Sequence, residues 1–226
     1  MKKILFAFLS VALLAISCKS NDEEVLIIPR DTPSEWMEIG CVNWADQYPR
    51  HPDVKFRLWH DGEFFYIEFV VKEPTTRAEQ DVQGGFVHLD SCLECYIHPD
   101  PENNPYYYSY EWNATGHMFL AWRRSRDELE KAPLDVINSV KTYPSLGTEP
   151  FSETALPEPW TLKVAIPVSS MYHTELDSWS GFECNMNFHK CTQGIEDKDF
   201  VSWAPIDTPE PTFNKPVFFR PAKFAE

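Results

Sequence analysis

VKFRLWHDGEFFYIEFVVK (residues 54–72) carries two alternating apolar runs on either side of an Asp-Gly pair. Before the pair, Val54, Phe56 and Leu58 alternate with Lys55, Arg57 and Trp59. After it, Phe65, Ile67, Phe69 and Val71 alternate with Tyr66, Glu68 and Lys72. Successive side chains of a strand point to opposite faces, so each run offers one face to a core and one to water. Asp61–Gly62 is the residue pair a type I′ turn favours, and the whole stretch predicts an antiparallel hairpin.

The same alternation recurs along the chain. Strands are predicted over 91–98, with Leu93, Cys95 and Ile97 on one face, and over 106–113, 117–122, 160–166 and 182–190. Turn-rich clusters such as 98–105 (HPDPENNP) separate them. Helical periodicity is confined to 125–131 (SRDELEK) and a turn at 168–172, and 138–159 reads as one long surface loop. Many short strands with polar outer positions predict an all-β chain folded as an antiparallel, jelly-roll-like β-sandwich with long loops and one or two short helices. The sandwich is expected over residues 34–226, with neither an internal repeat nor a dividing linker.

Ahead of it, Lys2 and Lys3 precede an apolar run, Ile4 to Ile16, that is too short to span a bilayer, followed by Ser17–Cys18. This is a secretory leader over 1–17. A cysteine at the cleavage point resembles the bacterial lipoprotein signal, with Cys18 as the lipidated first residue and 18–33 as a tether, although Ala15 stands where leucine is usual. The chain is therefore expected to be exported and held at the cell envelope, at the outer membrane, by a lipid anchor. The acidic run after Cys18 resembles sequences that send some such proteins to the cell surface.

The chain has 20 Lys+Arg against 35 Asp+Glu, a formal charge of −15, and loss of the leader removes two lysines more. Such a surface repels nucleic-acid phosphates and anionic head groups, so a neutral ligand or a cation fits better. Aromatic residues make up 15% of the chain, including 8 Trp and 9 Tyr, enough to supply a core and leave rings for stacking. Apart from Cys18 the cysteines are Cys41, Cys92, Cys95, Cys184 and Cys191, in a compartment that permits disulfides. Cys92 and Cys95 form a C-x-x-C string, but strand alternation sends their sulfurs to opposite faces, which argues against joint metal or redox use.

Placing the outward positions in rows gives a polar face: Glu94; Ser109, Glu111 and Asn113; Asn185, Asn187 and His189. Carboxylates and amides among aromatics suit sugar hydroxyls and sugar C–H faces, yet every antiparallel sandwich has a polar face. No nucleophile triad, H-E-x-x-H string or phosphate loop is present, and acidic pairs arise by chance in so acidic a chain. Two alternatives stay open: a glycoside-hydrolase-type enzyme, and a haem-binding electron-transfer sandwich using His189, Lys190, Met118 or Met186.

Three ordered segments narrow the choice. Asp90–Glu94, Tyr106–Gly116 (YYYSYEWNATG) and Asn187–Cys191, with its continuation through Trp203 and Phe213 to Phe219, resemble the carbohydrate-binding module family 9-like proteins of Bacteroidetes, over roughly Trp36 to Phe224. The resemblance implies a non-catalytic β-sandwich that grips glycans or glycan ends between aromatic rings, beside secreted hydrolases in polysaccharide breakdown, with Ca2+ as a structural ion. It makes Glu94 a carboxylate that bonds sugar hydroxyls and Phe213 a clamp ring, with His88 where a second ring is expected. Glu111, Asn113 and Lys190 fall in matched strings as further carbohydrate-binding candidates. Each has a plainer reading: Glu111 or Lys190 as half of an ion pair, Asn113 as a turn former, Phe213 as a plug. Cys92 and Cys191 become the first choice for a disulfide. Asp90, with carboxylates of 98–105 and 196–199, becomes the calcium candidate.

Overall fold

The computed structural model describes residues 25–226. The leader, Cys18 and the first part of the tether lie outside the described residues. The strands are β1 (Leu26–Ile28), β2 (Met37–Glu38), β3 (Cys41–Val42), β4 (Asp53–His60), β5 (Phe64–Lys72), β6 (Thr76–Ala78), β7 (Cys92–His98) and β8 (Tyr107–Asn113). They continue as β9 (Met118–Arg123), β10 (Leu129–Lys131), β11 (Lys141–Pro144), β12 (Phe151–Thr154), β13 (Trp160–Pro167), β14 (Glu183–Thr192), β15 (Asp199–Ser202) and β16 (Arg220–Phe224). The α-helix described is α1 (Leu134–Ser139), and Val168–Ser170 makes a 3-10 turn where the sequence predicts one.

Two sheets pack face to face. One runs β1-β16-β14-β7-β8-β9-β10, with β15 and β3 continuing beyond one end of β14; the other runs β11-β13-β5-β4-β2. A small β12–β6 ladder stands apart. The 54–72 hairpin forms as read, with Val54 opposite Val71 and Leu58 opposite Ile67. Its turn differs from type I′, which needs positive φ at both central residues. Gly62 alone is positive, at 94°. The Asp61 carboxylate takes the place of a backbone acceptor, receiving the Glu63 and Phe64 amides at 2.9 and 2.7 Å.

Phe56, Leu58, Phe65, Ile67 and Phe69 are completely buried against Leu93, Ile97, Tyr110, Trp112 and Phe188 of the facing sheet. Each such side chain contributes about 1.5–3 kcal/mol through removal from water. A second apolar cluster lies on the outer side of the larger sheet, where Tyr96, Tyr107, Phe119, Phe213 and Phe219 pack beneath loops. Consequently β7, β8 and β9 are buried along their whole length, on both faces. That outer face, expected to be open to water, is roofed.

Several expectations are corrected here. Residues 125–131 form no helix: Leu129–Lys131 pair with β9 as an edge strand, because Arg123–Leu129 antiparallel pairing satisfies their backbone. The stretch 138–159 is not one loop, since β11 pairs with β13 and β12 with β6. The sandwich begins before residue 34, as Leu26–Ile28 lie parallel to Ala222–Phe224 and Ile28 is fully buried. Among the described residues no helix is long and apolar enough to cross a membrane.

Candidate functional site

The roof over the outer face leaves a cavity of about 590 Å3, within the roughly 300–1,000 Å3 typical of small-ligand sites. Its floor comes from adjacent strands: Glu94 of β7 stands directly opposite Glu111 of β8, two residues from Tyr96. Its walls come from loops carrying Phe86 and His88, Arg126, Gln193 and Phe213. Two of these loops are fastened together, the Gln193 amide bonding His88 O at 3.1 Å and the Gly194 amide bonding Leu89 O at 2.8 Å. A Cβ on Gly194 would collide with the Leu89 carbonyl, so glycine is what lets the two walls approach.

Electrostatics on the floor are tuned by one cation. Arg123 Nη2 bonds Glu111 Oε1 at 3.2 Å and its Nη1 bonds Asn214 Oδ1 at 2.9 Å, where the Tyr107 hydroxyl also donates at 2.8 Å. Burial, and then repulsion from Glu111, push the Glu94 carboxyl up to about 8. At neutral pH it therefore holds its proton and can donate as well as accept. His88 is held below the usual imidazole range by burial, partly opposed by Glu111. Around the rim Arg126 and Lys198 offset Asp127 and Glu210, so the site as a whole is close to charge-balanced despite the acidic chain.

Of the residues the sequence singled out, Glu94, Glu111, His88 and Phe213 meet in this cavity. Phe213 is nevertheless buried, stacked on the His189 imidazole with centroids 4.3 Å apart and planes at 9°. The accessible ring is Phe86, 64% exposed and parallel-stacked on Phe119 at 6.4 Å.

Asn113 and Lys190 lie elsewhere. Asn113 is fully buried; its amide donates to Gln80 O and Asp90 Oδ2, and its oxygen accepts from the Thr115 and His117 amides. It is a turn former, leaving nothing for a ligand. Lys190 points to the opposite side of β14, where its Nζ lies 3.0 Å from both Glu73 and Asp199 and bonds Thr192 Oγ1 at 2.7 Å. Arg50 completes this buried four-charge cluster.

The Asp90 carboxylate does not suit calcium. Oδ1 receives Arg77 Nε and the Glu79 amide, and Oδ2 receives the Gln80 amide and Asn113 Nδ2. Four N–H groups aimed at its oxygens place positive charge where a cation would sit. Asp199, in the other loop considered, is taken by Lys190 and Arg50, and the 98–105 loop lies at the opposite end of β7 from Asp90. The disulfide is corrected too. Cys92 and Cys191 face each other in register, but both are free thiols, as are Cys95 and Cys184. Haem ligation fails on direction: His189 points outward from β14, while Met186 and Lys190 point to the inter-sheet side.

Phe86, Arg123 and Asn214 escaped the sequence reading. Phe86 follows Gly84–Gly85, and an aromatic beside paired glycines in a polar loop is a usable signal. Arg123 shares the parity of Phe119 and Ala121, yet nothing local distinguishes it from an exposed strand-end cation.

A two-sheet sandwich with a roofed, charge-balanced cavity of polar floor and aromatic wall defines a small-ligand-binding module. A sequence model of carbohydrate-binding family 9 matches residues 25–224, and the chain belongs to that family. Among solved structures, a candidate carbohydrate-binding protein from Bacteroides uniformis is 33% identical, covering 84% of this chain and 86% of that one with a TM-score of 0.79. Two family 9 modules from Caldicellulosiruptor kristjanssonii share the fold. One, in complex with cellotriose, is 10% identical at a TM-score of 0.53, covering 89% of this chain and 94% of that one. The other, in complex with glucose, is 12% identical at 0.54, covering 89% and 95%. No curated protein sequence matches the chain.

Proposed function

We propose that the protein captures glycans or glycan ends without cleaving them, as a lipid-anchored component of the cell envelope that works beside polysaccharide-degrading enzymes. The observation that carries this reading is the cavity itself, which joins Glu94, Glu111 and His88 to the exposed ring of Phe86. Sugar hydroxyls need donors and acceptors together, and a protonated Glu94 beside the Arg123-bound carboxylate of Glu111 supplies both. Phe86 offers a flat apolar face to sugar C–H groups. Attachment through Cys18 rests on the leader sequence alone.

A glycan array followed by calorimetry tests the ligand class. Binding of an oligosaccharide that is weakened in Glu111→Gln, without loss of folding, is the expected result. Sugar release by the pure protein would replace this reading with the hydrolase one. Incorporation of a lipid label, abolished in Cys18→Ala, tests the anchor.

A further inference from the structure

Beneath the cavity floor, β7 and β14 set four ligand-type side chains in a two-by-two patch: Cys92 stands opposite Cys191, and Glu94 opposite His189. Cys191 Sγ lies 3.3 Å and Cys92 Sγ 4.0 Å from Glu94 Oε1, and His189 Nδ1 lies 3.6 Å from Glu94 Oε2. The donor atoms of Cys92, Glu94 and Cys191 all fall within 4.8 Å of one another. Around a tetrahedral zinc ion with bonds of about 2.0–2.3 Å, ligand atoms are separated by roughly 3.3–3.8 Å. Cys92, Glu94 and Cys191 come near that spacing; His189 stands outside this trio, in reach of it through Glu94 Oε2 at 3.6 Å.

Its polar atoms are also underused. His189 is completely buried and Glu94 nearly so, yet neither ring nitrogen of His189 nor Glu94 Oε2 has a hydrogen-bond partner among the described residues. Buried polar groups left unpaired are costly, so such a cluster calls for an explanation. Packing holds the imidazole in place, stacked on Phe213 and met edge-on by Tyr96 at 4.8 Å.

We propose that Cys92, Cys191, His189 and Glu94 form a binding site for one divalent transition ion, zinc by preference, immediately beneath the cavity floor. Two thiolates and an imidazole select a borderline-soft ion over calcium or magnesium, which want oxygen. Two thiolates, one carboxylate and a doubly charged ion leave a single negative charge, and Arg123 acts on Glu94 from the same floor. The cysteines of the C-x-x-C string do not act together, since Cys95 lies in the inter-sheet core. Gln193, a cavity wall residue with Nε2 3.6 Å from Cys191 Sγ, marks the way in. Binding exchanges the two thiol protons and the Glu94 carboxyl proton for the ion and transfers no electrons. It shares Glu94 with the cavity floor, and its test is read without any sugar.

The test is a Co2+ titration of the full chain after reduction and removal of metal, followed by Zn2+. The expected result is saturation at one equivalent, with strong tetrahedral d–d bands and thiolate-to-cobalt charge transfer. One equivalent of Zn2+ should bleach both, and excess Ca2+ should leave them unchanged. Cys191→Ser should lose about half the charge-transfer intensity, Cys95→Ser none. If Cys191→Ser does not fold, the intensity of the unaltered chain, which scales with thiolate number, decides instead. A weak octahedral spectrum without charge transfer would overturn the proposal. So would a spectrum retained in the Cys92→Ser/Cys191→Ser double variant, or isolation of the protein with Cys92 and Cys191 bridged.

Discussion

Replacing Lys190 by Met separates two roles that the sequence left open. The methionine stem keeps most of the packing and removes the charge. Lys190, Arg50, Glu73 and Asp199 together sum to zero, with Lys190 Nζ 3.0 Å from each carboxylate and Arg50 3.4 and 3.6 Å from Asp199 and Glu73. Without Lys190 two buried carboxylates share one guanidinium. Breaking a buried ion pair from one side costs about 3–5 kcal/mol. For a domain of this size that is a fall in Tm of roughly 6–20 °C. The cost should depend on pH with a definite sign. The orphaned carboxylate takes up a proton more readily in the folded variant than in the unfolded chain, so the deficit shrinks toward pH 5 and grows toward pH 8. Urea denaturation followed by Trp fluorescence across that range measures it, and calorimetry measures glycan affinity in the same samples. Affinity per folded molecule should not change. A variant as stable as the parent but unable to bind glycan would refute the reasoning and return Lys190 to the site.

Phe86→Ala should weaken glycan binding by about 0.5–1.5 kcal/mol, through loss of stacking, while leaving Tm unaltered because the ring is largely exposed; an unchanged affinity would remove Phe86 as a platform. Glu94→Gln should flatten the pH dependence of stability, measured with chelator present. The raised carboxyl makes the folded chain hold a proton that the unfolded chain releases, so stability present below pH 4.5 is lost toward pH 8, by up to about 1.4 kcal/mol per pH unit. Parallel curves for variant and parent would contradict that assignment. Asp90→Ala should destabilise the fold by about 1–3 kcal/mol for each donor left unpaired, with or without calcium; a loss seen only when calcium is present would restore Asp90 as its ligand.

The hairpin at 54–72 and the strands at 91–98, 106–113 and 182–190 were legible because alternation is a local property, and local periodicity determines which residues can share a face. Glu94 and Glu111 could be placed on one face for the same reason. What local pattern could not convey is whether that face meets water. Strand β7 reads as half-polar, yet Glu94, Tyr96 and His98 are roofed by loops whose arrival depends on residues more than a hundred positions away, Phe213 and Phe219 among them. For Lys190 it was residue type that misled: alternation turns it away from the outward His189 to the inner face, and only the approach of Glu73, Arg50 and Asp199 makes a buried lysine tolerable.

Sequence by itself determined the β-rich class, the hairpin, the family and the faces on which side chains fall, since each follows from near-neighbour chemistry or ordered motifs. Tertiary structure alone decided that the outer face is enclosed, that Glu94 meets Arg123-bound Glu111, and that Cys92 and Cys191 stand opposite one another beside His189. Burial and electrostatic environment are sums over groups brought together from distant parts of the chain, and the order of residues along it does not contain those distances.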